Sequence, residues 1–123
     1  MRVSYIPPEA FDIVAPDVER HLAKSIKMAH GRENMESIWQ LLLTGERQLW
    51  MFFDDDNSPE GALVTRIENY PLKKMLNLMF IGGTNIEAWH EELLNTLESY
   101  AIEYGCSGLE TTGRVGWKKF LSK

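Results

Sequence analysis

The sequence predicts one mixed α/β domain, with helices and strands interleaved around a single mixed sheet. Two observations carry that prediction. The hydrophobic period changes from 3.6 residues before Gly45 to 2 after Gln48, so helix gives way to strand within one chain. Further on, the apolar run 74–81, the step Gly82-Gly83, a long amphipathic segment and the short stretch 106–112 form a strand–helix–strand unit. Such a unit implies a right-handed crossover and a locally parallel strand pair. With 123 residues, 44% of them hydrophobic and 25% charged, residues 1–123 suit a single core.

The elements follow in order. Val3-Ser4-Tyr5-Ile6 is β-branched and aromatic and is stopped by Pro7-Pro8, the pattern of a short edge strand. A helix comes next, with Pro16 in its first turn and Val18, Leu22, Ile26 and Ala29 recurring three to four residues apart until Gly31. A second helix covers about 34–44, capped by Asn34, striped by Ile38, Leu41 and Leu42, and ended by a left-handed Gly45. Residues 48–53 read as a strand, 54–61 as a turn-rich loop and 62–67 as the second arm of a hairpin. Tyr70-Pro71 breaks the chain again. The nearly all-apolar 74–81 is then a central strand covered on both faces.

The best-defined helix is capped by Asn85 or Thr84. Ile86, Trp89, Leu93, Leu94, Leu97, Tyr100, Ala101 and Tyr104 share one of its faces, and Glu87, Glu91, Glu92, Glu98 and Glu103 line the other. Gly105 ends it, 106–112 is a short strand, and 114–123 forms a last helix with Trp117 and Leu121 inward. The order is β, α, α, β, β, β, α, β, α.

Composition removes several functional classes. Thirteen Lys and Arg against 18 Asp and Glu leave a net charge of −5. Affinity for nucleic acid comes from cationic side chains neutralising phosphates, so no nucleic-acid partner is expected. No apolar run approaches the roughly 18 residues of a membrane span, and the N-terminus has neither the basic nor the apolar region of a leader, so no membrane partner is expected and the expected location is cytoplasmic. Cys106 is alone, which excludes an internal disulfide and fits a reducing compartment; at a strand start it reads as a small buried hydrophobe.

His21, His30 and His90 have no second ligand at helical spacing, so no metal is expected. The acid run Asp54-Asp55-Asp56-Asn57 lacks the alternating spacing and distal Glu of a calcium loop and reads as a hairpin loop. Neither a Gly-x-Ser-x-Gly elbow nor a phosphate-binding Gly-x-x-x-x-Gly-Lys loop occurs.

The order of elements, with a long helix leaving an apolar central strand and a Gly105-Cys106 step into the next, resembles the GNAT-type N-acetyltransferases over about residues 1–122. More closely, Gln48-Leu49-Trp50, Val64-Thr65-Arg66-Ile67 with Tyr70-Pro71, Phe80-Ile81-Gly82-Gly83, Trp89, Gly105-Cys106 and Gly113-Arg114-Val115-Gly116-Trp117 resemble a small GNAT-like family encoded by tailed bacteriophages. The last of these motifs is the most specific.

The resemblance implies acetyl-CoA in a V-shaped split between two parallel strands, here 75–81 and 107–112. The pantetheine would lie along the first strand and the pyrophosphate on the N-terminus of the following helix. Phe80, Ile81, Gly82, Gly83, Thr84 and Asn85 are then the cofactor-binding candidates. Here the sequence departs from the family's loop. No Arg, Lys or Gln precedes the glycines at the needed spacing, and Glu87 puts a carboxylate in the first helical turn, opposing a pyrophosphate by a few tenths to about 1 kcal/mol.

Glu68 and Glu110 are the carboxylates the resemblance places at the cleft as catalytic bases, with solvated strand ends as the alternative. Residues 114–123 contain no Tyr to serve a leaving thiolate, and the family's further C-terminal hairpin has no counterpart before Lys123.

Two functions therefore stand side by side. One is a phage-encoded GNAT-like module with a degenerate acetyl-CoA site that binds protein, in a virion or its assembly, or in the host cytoplasm. The other is an acetyl-CoA-dependent N-acetyltransferase acting on a small amine or a protein amine. Trp39, Trp50, Trp89 and Trp117, with Met35, Met51, Met75 and Met79, either fill the core or form a contact surface. The expected partner is another protein or a second copy of the chain, paired through a free sheet edge.

Overall fold

The computed structural model describes residues 2–28 and 31–111. Within them lie β1 (Arg2–Ile6), α1 (Phe11–Lys27), α2 (Met35–Leu43), β2 (Gln48–Phe53), β3 (Pro59–Tyr70), β4 (Lys73–Gly83), α3 (Ile86–Glu103) and β5 (Gly108–Thr111). Ala29, His30 and the expected helix over 114–123, with Trp117 and the motif 113–117, lie outside the described residues.

The five strands form one sheet in sequence order, antiparallel from β1 to β4 and parallel between β4 and β5. β1 is an edge strand, as expected, and the unit β4–α3–β5 is the parallel crossover. The hairpin strands are longer than their hydrophobic runs, because β3 continues through the polar Arg66, Glu68 and Tyr70 to a tight turn at Pro71-Leu72.

Two helical layers cover the sheet. On one face Trp50, Phe52, Leu63, Leu76, Leu78 and Ile81 pack against Trp89, Leu93, Leu97 and Ala101 of α3. On the other, Leu49, Met51, Ala62, Val64 and Phe80 pack against Val18 and Leu22 of α1 and Ile38 and Leu42 of α2. Each helix thus buries most of the stripe its spacing marks, while Tyr104, expected on the apolar face of α3, is exposed. Trp50, Trp89 and Met51 are core residues, while Trp39, Met35, Met75 and Met79 are half-buried.

Register along β4 changes at one point. Val64 opposes Phe80 and Thr65 opposes Leu78, which leaves Met79 as the extra residue of a bulge. A bulge shifts the alternation by one residue, so Leu76 and Leu78 face α3, Phe80 faces α1, and Ile81 faces α3 again.

Two expectations about helix starts are corrected. α1 begins at Phe11 and not near Pro16, which sits inside the helix on its exposed side. Phe11 is buried against Trp39, at 5.3 Å between ring centroids, and that packing outweighs the hydrogen bond Pro16 cannot donate. At α3, Asn85 is at the cap position but is left-handed (φ 50°, ψ 41°), and its side chain makes no capping bond. Asn34, by contrast, caps α2 as expected, its Oδ1 accepting from the Ser37 amide at 2.8 Å in a capping box.

Candidate functional site

The place to look for a nucleotide site is the end of β4, where pairing with β5 stops and α3 begins. β4 pairs with β5 from Met75–Gly108 to Leu78–Thr111; among the described residues its remaining stretch through Gly83 pairs only with β3. The bulge at Met79 falls immediately beyond that last pair.

The six cofactor-binding candidates do not form an open cradle there. Phe80 and Ile81 are buried on opposite faces of the sheet. Gly82 lies directly under α1: a Cβ on it would meet the His21 carbonyl oxygen at 1.9 Å. Gly83 pairs with Gly61, and a Cβ there would meet the Glu60 carbonyl oxygen at 2.4 Å. Both glycines thus serve close backbone packing.

Thr84 is bound twice to one residue. Its amide donates to the Glu60 carbonyl at 2.9 Å, and its hydroxyl donates to the Glu60 carboxylate at 2.5 Å. The N-terminus of α3 therefore has a carboxylate fastened to its approach and a second, Glu87, in its first turn. An anion would normally be welcomed by the free amides and positive dipole end of a helix. Here Glu60, on Thr84, and Glu87, in the first turn, place two carboxylates near that end. A pyrophosphate approaching this turn would therefore meet two carboxylates, Glu60 and Glu87.

Glu68 and Glu110 are brought to one patch, on the sheet face that carries α1 and α2. Arg66, Glu68 and Tyr70 alternate along β3 and so share a face, and register sets Asn77 between Arg66 and Glu110. Arg66 Nε donates to Glu68 Oε1 at 2.6 Å. The Tyr70 hydroxyl donates to Glu110 Oε1 at 2.7 Å, and that bond, followed by burial, pushes the phenol's pKa up. Tyr70 is thus a proton donor held on a carboxylate. A reading that treats Tyr70-Pro71 only as a chain break misses it, although the two-residue period of 66, 68 and 70 points to it.

The remaining candidates resolve into structural roles. Asp54 Oδ1 accepts from the amides of Asp56 and Ser58, both at 2.9 Å, which makes 54–58 a side-chain-closed hairpin loop. The Ser58 amide holds the Asp54 carboxyl below its ordinary pKa. Cys106 is buried on the wall of a cavity of about 300 Å3 shared with Leu94, Ala101 and Leu109. Among the described residues, no group of three or more His, Cys, Asp or Glu is placed to hold a metal, and no helix is long and apolar enough to cross a membrane.

Comparison with solved structures gives the architecture its class. A probable acetyltransferase superposes with a TM-score of 0.72 at 17% identity, covering 98% of this chain and 85% of that one. A ribosomal-protein-alanine N-acetyltransferase from Brucella melitensis biovar Abortus gives 0.67 at 13% identity, covering 98% and 86%. A GNAT family acetyltransferase from Staphylococcus aureus gives 0.62 at 10% identity, covering 93% and 88%. No protein-family model and no curated protein sequence matches the chain. What is shared is the GNAT acetyltransferase fold.

Proposed function

We propose that this chain is a GNAT-fold module that no longer binds acetyl-CoA and acts by binding another protein, as a phage-encoded component of a virion or of its assembly. One observation carries the first half of that reading: Glu60 occupies Thr84 with both its carbonyl and its carboxylate, at the turn where a pyrophosphate would have to sit. Binding there would bring a polyanion beside two carboxylates, Glu60 and Glu87. The phage assignment is supported by the motifs at 64–71, 80–83 and 105–106.

A second reading, an N-acetyltransferase acting on a small amine or a protein amine, is favoured by the edge of β4 past Leu78, which among the described residues pairs only with β3, and by the Glu68, Tyr70 and Glu110 patch on the neighbouring strands. Isothermal titration separates the two. The module reading predicts no saturable heat from acetyl-CoA at millimolar concentration, and no acetyl transfer to a polyamine or peptide amine. Stoichiometric binding by the unaltered protein, or turnover lost in Glu110→Gln, overturns it.

A further inference from the structure

We draw no further inference here: the strongest candidate, the cavity of about 300 Å3 between α3 and β5 walled by Leu94, Ala101, Ile102, Cys106 and Leu109, is an apolar groove, and nothing in the structure shows what covers it.

Discussion

Replacing Gly82 by alanine drives a methyl group into the backbone of α1. The new Cβ would lie 1.9 Å from the His21 carbonyl oxygen, 2.9 Å from its carbon and 3.7 Å from Leu22 Cα. A carbon–oxygen contact settles at about 3.3 Å or more, so α1 and β4 must separate by over 1 Å. Neither partner is a side chain that could turn aside. The separation also loosens Val18 and Leu22, both 0% exposed against Val64 and Phe80.

Overpacking of a tight core costs about 1–3 kcal/mol, and a backbone-on-backbone clash belongs at the top of that range, so Gly82→Ala should lose about 3 kcal/mol. For a domain of this size that lowers the melting temperature by about 10–15 °C. Circular-dichroism melts with urea denaturation read both quantities. Gly45→Ala is the control. Gly45 has a left-handed φ of +84° with nothing within 4 Å, so that change carries only the conformational cost of about 1–2 kcal/mol. A Gly82→Ala protein melting within about 3 °C of the parent would refute the close approach, and with it the argument that Gly82 serves packing.

Two further outcomes follow from the described contacts. Arg47 is 6% exposed and forks onto Glu33 at 2.6 and 3.1 Å, so Glu33→Ala should cost about 3 kcal/mol in urea denaturation by stranding a buried guanidinium; a loss under about 1 kcal/mol would contradict this. Burial, then the charge of Arg20, lowers the His21 pKa below 6.5, against the opposing Pro59 carbonyl, Asp17 and Glu60. Its stabilisation is therefore complete above pH 6.5 and is lost as pH falls from there through the lowered folded value, so His21→Gln should flatten the decline of melting temperature below pH 6.5. Identical slopes in the two proteins would dispose of it.

Much of the architecture was legible locally. Period and punctuation placed α2 with its Asn34 cap, the 48–53 strand and the central strand covered on both faces, because each signal lies within one or two turns of chain. The start of α1 was not, since the burial of Phe11 against Trp39 from α2 is a tertiary contact that local proline preference does not contain. The same holds at the candidate site. Glu87 is visible in sequence in the first turn of α3, yet Glu60, which binds Thr84, reads there as an ordinary loop residue. Likewise the two-residue period puts Arg66, Glu68 and Tyr70 on one face of a strand, but the bond from Tyr70 to Glu110 emerges only once β3, β4 and β5 are in register.

By itself, then, the sequence determined the types and order of the elements among the described residues and most of the faces they bury, because hydrophobic periodicity and turn chemistry act over a few neighbouring residues. Only the folded chain decided which backbone lies against Gly82, that Thr84 is held by a residue 24 positions earlier, and that Tyr70 reaches a carboxylate 40 positions later. Those contacts depend on sheet register and helix placement, which arise from packing the whole core at once, and no local pattern encodes them.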